Sequence, residues 1–267
     1  MRPGPVGLLV AAVALQLLLV LAAGCSSVPG GEVSGSGNAV TKEYDDSGFT
    51  GLRVDNAFAV TVTRGDAFSV AVTVDDNLVE YLRVEVKGDT LRIGLDPGRS
   101  YRGTTLKAEV TLPRLEALEV TGASTVDAQG FSSGDPLALE VSGAGATSLS
   151  GVRAGDVTID VSGAGHVTGG LEAQGLDGEN SGAGGVSLEG SAAGATLEVS
   201  GAGDLDLHLL TLQNAELELS GGSNASVRVT GTLNVEASGG AQLAYYGSPT
   251  LGRMELSGGA GVDRAGD

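Results

Sequence analysis

The sequence predicts an all-β protein, a right-handed parallel β-helix with about 19–20 residues per repeat. Three observations carry that prediction. One phrase (apolar, acid, apolar, then Ser-Gly-Ala-Gly or a near copy) recurs eight times, its fourth letter falling at Thr121, Ser142, Ser162, Ser181, Ser200, Ser220, Ser238 and Ser257. The spacings of 21, 20, 19, 19, 20, 18 and 19 residues are those of a solenoid, whose coils bury their apolar faces only by stacking. Within the repeats, residues alternate at period two, as in Leu137, Leu139 and Val141 against Glu140, which is the strand signal. No stretch beyond the leader keeps a helical period, and parallel crossovers are almost always right-handed.

The elements follow in chain order. Residues 1–24 read as a secretory signal: Arg2 gives a positive start, Val6 to Ala23 is an almost unbroken apolar run, and small residues end it. The stretch Leu21-Ala22-Ala23-Gly24-Cys25 resembles a bacterial lipobox, which makes Cys25 the lipidated start of the mature chain. Cys25 is the only cysteine, so the chain forms no intramolecular disulfide. Residues 25–41 are rich in glycine and serine and are expected to be a flexible tether. The rest, 42–267, is long enough for one core and is expected to be a single β-helix domain.

Within that domain, 42–117 alternates less regularly, in Phe58-Val60-Val62, Phe68-Val70-Val72-Val74, Leu82-Val84-Val86 and Leu91-Ile93-Leu95. Turn signals such as Arg64-Gly65-Asp66, Lys87-Gly88-Asp89 and Asp96-Pro97-Gly98 separate these runs. They are expected to be irregular opening coils that cap one solenoid end, with a small separate antiparallel sheet as the alternative. Residues 118–267 are the regular repeats.

Charge limits the partners. The net charge is −18, of which residues 118–267, with 19 acids and 4 bases, contribute −15. Such a surface repels nucleic acid, whose recognition needs a basic footprint, and it repels acidic polysaccharide.

Several phrases occur in order: Gly51-Leu52-Arg53-Val54, Ala57-Phe58-Ala59-Val60, Val110-Thr111-Leu112-Pro113-Arg114-Leu115, the repeated Ser-Gly-Ala-Gly, and Tyr245-Tyr246-Gly247-Ser248-Pro249. Together they resemble the putative auto-transporter adhesin, head GIN domain family over roughly residues 48 to 262. The resemblance implies a β-helix that is secreted or lipid-anchored in bacteria, and it brings no catalytic residues with it.

Among candidate functional groups, the tetrads are corners first, because small residues permit positive φ and close stacking of coils. The acids before them are the main candidate surface. Glu119, Glu140, Asp160, Glu179, Glu198, Glu218, Glu236 and Glu255 share one outward register. Stacked about 4.8 Å apart, each neighbouring pair repels by roughly 0.9 kcal/mol in water before screening. A solvated face that keeps the sheet soluble is one reading. A ladder that collects cations, calcium above all, or docks a basic partner is the other. One carboxylate per coil makes any calcium binding weak, so no cofactor is expected beyond it.

Enzyme signatures are thin. Gly130-Phe131-Ser132-Ser133-Gly134 matches the nucleophile-elbow pattern, yet no helix follows it. His166 is expected in a loop. Asp204, Asp206 and His208 share an outward side and form a metal candidate weaker than a plain charged strand. Between residues 121 and 240 Phe131 is the sole aromatic, which leaves little for stacking sugars.

The reading is therefore a non-catalytic, lipid-anchored module of the bacterial envelope, adhesin-like or scaffolding. Its expected partners are the membrane through its lipid and an envelope or cell-surface protein or glycan. Tyr245 and Tyr246 are a candidate contact patch. Self-association is expected, since no cap is apparent after Arg264. A carbohydrate-active β-helix enzyme and an envelope-stress or signalling accessory protein remain as alternatives.

Overall fold

Alternation drives the chain into strands, and the glycine-rich corners fold those strands into stacked coils. The structure, a computed structural model, describes residues 31–266. The signal segment and Cys25 lie outside the described residues.

The chain opens with β1 (Glu32–Ser34), β2 (Ala39–Tyr44), β3 (Gly51–Val54), β4 (Ala59–Arg64) and β5 (Ser69–Asp75). A 3-10 turn at Asp76–Leu78 leads to β6 (Leu82–Lys87), β7 (Thr90–Leu95), β8 (Ser100–Arg102) and β9 (Leu106–Leu112). The repeats begin with β10 (Ala117–Val120), β11 (Thr125–Gln129), β12 (Leu137–Val141), β13 (Ala146–Arg153) and β14 (Asp156–Gly163). Three long strands, β15 (His166–Gly182), β16 (Gly185–Gly201) and β17 (Asp204–Leu219), then bend around much of a coil each. The last are β18 (Asn224–Val229), β19 (Thr232–Ala237), β20 (Gln242–Tyr246), β21 (Thr250–Leu256) and β22 (Gly261–Gly266).

The repeats stack as parallel coils, which makes the molecule a β-solenoid. β12 pairs in parallel with β10 and β14, and β13 with β11 and β15. The first half of β15 lies on β13 and its second half on β14, so one strand spans two sides of the coil. Leu137, Leu139 and Val141 point inward and are buried, directly beneath Val157, Ile159 and Val161 of the next coil. Each such side chain contributes roughly 1.5–3 kcal/mol by leaving water, before chain entropy is counted. One apolar column therefore runs from Phe49 to Leu243.

Sequence order breaks at the N-terminal end. β3 pairs in parallel with both β7 and β10, and β4 with both β9 and β11. The layer of β7 and β9 thus lies outside the coil that precedes it in the chain. The chain then crosses back to lay β10 and β11 on the other side. Antiparallel strands close this end, β6 on β7, β5 on β9 and β2 on β5. Phe49 and Phe68, with ring centroids 4.9 Å apart, fill the core beneath the cap. Over residues 42–112, parallel layers and antiparallel strands share a single 20-stranded sheet with the repeats.

The expected tether over 25–41 is corrected at its far end. β1 pairs with β8, and β2 begins at Ala39. Asp75 is the cause. Its buried carboxylate accepts the Gly37 N–H at 3.0 Å and the Thr105 N–H at 2.7 Å, tying the glycine-rich stretch to the cap. Composition shows small residues there but not the acid that receives their backbone.

Candidate functional site

Strand register decides where the predicted acids stand. The ladders pair Glu119 with Glu140, Glu140 with Asp160, Asp160 with Glu179 and Glu179 with Glu198. They continue from Glu198 to Glu218, from Glu218 to Glu236 and from Glu236 to Glu255. All eight form one unbroken column. Their neighbours Leu118, Val120, Leu139 and Val141 are buried, so alternation sends the carboxylates outward; Glu119 is half-buried and the other seven are exposed. A second outward row runs beside it through Thr158, Asp177, Thr196, Glu216 and Asn234. On this row Arg253 Nη2 donates to Glu216 Oε1 at 3.1 Å.

The column ends in arginines, which the sequence reading missed. Arg53 lies across from Glu119, and Arg92 across from Arg53. Arg53 Nη1 donates to Glu119 Oε1, while its Nε donates to Asp55 Oδ1 at 3.0 Å. Arg92 stands 3.8 Å from the other Asp55 oxygen. Burial opposes the guanidinium charge, but the Asp55 and Glu119 carboxylates outweigh it and hold Arg53 above its usual range. A signal was available: Leu52-Arg53-Val54-Asp55 repeats the frame of Leu118-Glu119-Val120-Thr121 with the charge inverted.

Chemically, the face offers carboxylates in a file, two neighbours at a time. Among the described residues no group of three or more His, Cys, Asp or Glu side chains is placed to hold one metal ion. Calcium takes six to eight oxygens, more than a single rung provides.

The other candidates scatter. Asp206 Oδ1 lies 2.5 Å from His208 Nδ1, whereas Asp204 accepts from Asn224 Nδ2 at 3.1 Å, so the predicted trio splits. His208 meets Tyr246 instead, ring centroids 5.8 Å apart, and Arg228 lies 5.5 Å over the same ring. Arg228 Nε also donates to the His208 carbonyl at 2.9 Å. Of the predicted tyrosine patch, Tyr246 thus joins a surface cluster while Tyr245 packs on the core. Leu209, 57% exposed, lies beside this cluster. Ser132 bridges Arg153, and the chain continues into β12 without the helix a nucleophile elbow needs. His166 is exposed at the start of β15. The tetrads are coil corners, where Ala144 N–H donates to Gly122 O and Ala164 N–H to Gly143 O, both at 2.7 Å. Cys25 lies outside the described residues, and among those residues no helix is long and apolar enough to cross a membrane.

Stacked parallel coils, an N-terminal end covered by antiparallel strands and a continuous acidic file define a β-solenoid that displays a charged surface. The chain belongs to the putative auto-transporter adhesin, head GIN domain family, whose model matches residues 48–249. It is similar in structure to a putative adhesin from Parabacteroides distasonis, at 22% identity and a TM-score of 0.80, over 86% of this chain and 99% of that one. A putative lipid binding protein from the same organism aligns at 21% identity with a TM-score of 0.79, over 87% of this chain and 100% of that one. A putative adhesin from Parabacteroides merdae gives 18% identity and a TM-score of 0.79, over 88% and 99%. At these identities the likenesses show the shared fold. None of the curated proteins matches this chain.

Proposed function

We propose that the chain is a non-catalytic, lipid-anchored interaction module of the bacterial cell envelope, and that the acidic column is its contact surface for a basic partner protein. The observation that carries this reading is the continuity of the column from Glu119 to Glu255 in strict register. A field of one sign on a flat face raises the encounter rate with oppositely charged partners and excludes wrong ones. Family membership supports an envelope location, since structural neighbours carry the description adhesin. Lipidation at Cys25 adds to it: the stretch from Cys25 to Glu32 reaches at most about 25 Å, so an acyl anchor holds the capped end near the membrane and points the column away from it.

Acyl-chain binding, suggested by the lipid-binding neighbour, finds less support. The void lined by Leu176, Gly178, Asn180 and Leu197 amounts to about 10 Å³, the scale of a single water, and the larger hollows of about 390–750 Å³ are grooves open to the surface that enclose no chain.

The test is co-sedimentation of the mature protein with the organism's own envelope fragments, in calcium and in chelator. Saturable, salt-sensitive pelleting is expected, and it should be lost when Glu140→Gln, Asp160→Asn, Glu198→Gln and Glu218→Gln are combined in a variant whose melting temperature is not lowered. Dependence on calcium would make the contact cation-bridged. Equal pelleting by parent and variant, or none by the parent, overturns the proposal. Glycan cleavage by the purified protein would favour the carbohydrate-active alternative. Altered transcription without altered adhesion in a deletion strain would favour the signalling one.

A further inference from the structure

The two ends of the solenoid are built differently. The N-terminal end is covered by β2, β5 and β6 running antiparallel, and it leaves no large apolar side chain exposed. At the other end β21 pairs with β19 and β22 with β20, and among the described residues no strand lies beyond either. Met254 and Leu256 stand in register with the buried Val235 and Ala237, and Leu251 with Leu233 across a bulge at residues 252–253, all at core-facing positions. Leu251 and Leu256 are nevertheless 46% and 47% exposed, since no strand among the described residues covers them. Together with Leu209 they are the large apolar side chains that the described residues leave in water.

An open strand edge recruits another strand. The other end exposes no large apolar side chain to meet Leu251 and Leu256, so the surface that matches this one is the same end of a second copy, related by a two-fold axis. Turning one copy over about an axis perpendicular to the stack makes the facing strands antiparallel. The charges of β21 then select its register. Arg253 and Glu255 are both exposed and flank Met254. With Met254 on the axis, Arg253 of each copy falls opposite Glu255 of the other. A slip of one residue sets outward side chains against inward ones. A slip of two sets Glu255 on Glu255 or Arg253 on Arg253, and directly opposed like charges destabilise a pair.

We infer that the C-terminal coil is a homotypic docking edge, where β21 pairs antiparallel with β21 of a second copy about a two-fold axis at Met254, covering Met254 and Leu256. This contact takes only Glu255, the last member of the acidic column, which the Glu140, Asp160, Glu198 and Glu218 variant leaves in place, so the two proposals fail separately.

The experiment is sedimentation velocity on the full 267-residue chain in detergent, with mass corrected for the micelle, across about 1–100 µM, the range in which interfaces of moderate affinity dissociate. The parent is expected to dimerise. Glu255→Arg and Arg253→Glu should each weaken the dimer by ~10-fold or more, and the double exchange Arg253→Glu/Glu255→Arg should recover most of the loss, as complementary charge pairs do. Arg253 also bonds Glu216 within its own chain, so Leu256→Glu serves as a second disrupting variant where Arg253→Glu lowers the melting temperature. A monomeric parent at the highest concentration overturns the inference. So does a dimer that the single exchanges leave intact, or a double exchange that fails to rescue it.

Discussion

Arg53 and Glu119 face each other across the ladder between β3 and β10, and their ion pair marks where a positive row becomes a negative one. Each side chain is 31% exposed, and Asp55 shares the same guanidinium. Breaking the pair leaves two carboxylates beside each other in a half-dry setting. Arg53→Ala is therefore expected to lose about 1–2 kcal/mol, more than an ordinary surface pair contributes. A thermal melt should fall by about 2–8 °C. A melt unchanged within error would show that water already screens this corner.

Beyond Glu119 the column has no cation within its own file, so its acids work against folding. Each neighbouring pair repels by roughly 0.9 kcal/mol at most in water, and a Debye length of about 8 Å at physiological salt still reaches the next rung. Glu140→Gln and Glu198→Gln each remove two such neighbours and are expected to stabilise by up to about 1 kcal/mol at low ionic strength. Urea denaturation at low salt and again at high salt checks it, because the gain should shrink as salt rises. A gain that persists in high salt would mean that the glutamine acts by packing.

The coils from Leu137 onward were legible because a fixed period with inward alternation leaves one register, and that register alone put Glu140 beside Asp160. The cap was not, since the pairing of β3 with both β7 and β10 joins segments about 40 and 65 residues away that share no repeated phrase. Asp75 looked like one more turn acid, and its two backbone donors come from chain far on either side. The cluster of His208, Arg228 and Tyr246 was hidden for a different reason. A register shift in β17 between Leu207 and Thr211 aligns these side chains, and such shifts have no period to read.

The corner glycines set a sharper test. Gly163 has φ of +82°, and a Cβ there would lie 2.7 Å from the carbonyl oxygen of Gly143, which already accepts the Ala164 N–H. Gly163→Ala meets the left-handed penalty of about 1–2 kcal/mol and must also push the coils apart, for a total of about 2–4 kcal/mol. Gly194→Ala is the control: a Cβ there meets nothing within 4 Å, and its φ is unremarkable. That variant is expected to be neutral or to gain up to about 1 kcal/mol. Equal costs at the two sites would remove close coil approach as the reason for the tetrads.

Two phenols at the capped end give it a pH signature. Burial, with Asp46 adding to it, raises Tyr44 above its usual range, and burial with Asp96 does the same for Tyr101. A folded value above the unfolded one means that the stabilisation is complete below the unfolded value, near pH 10, and is lost as pH rises through the folded value. Stability should thus hold to about pH 10 and then fall. Tyr101→Phe, which gives up a hydrogen bond to the Asp96 carbonyl at 2.9 Å, should lower the plateau and flatten the alkaline decline. Absorbance titration of the phenols should show late-ionising tyrosines in the folded protein; ionisation of all of them at the usual value would contradict the assignment.

Asn180 occupies a core position that valine fills on either side, at Val161 and Val199. It is 2% exposed; its Nδ2 donates to the Gly184 carbonyl at 3.0 Å, and its Oδ1 has no partner. An unsatisfied buried oxygen costs about 1–3 kcal/mol, whereas a lost hydrogen bond costs about 0.5–1.5. The Gly184 carbonyl keeps a second donor, the Asp204 N–H at 3.0 Å, so removing the amide orphans nothing. Asn180→Val is therefore expected to stabilise by about 1 kcal/mol, read as a higher midpoint in urea with an unchanged slope. The opposite sign would mean that a water in the void beside Gly178 already satisfies Oδ1. Filling that void should then decide the matter, because Gly178→Ala would expel the water but also drive its Cβ to 2.8 Å from Leu197 Cδ2. Leu197 can yield through a rotamer change, whereas an orphaned amide oxygen cannot, so a loss larger in the asparagine background than in Asn180→Val would identify the water as the partner.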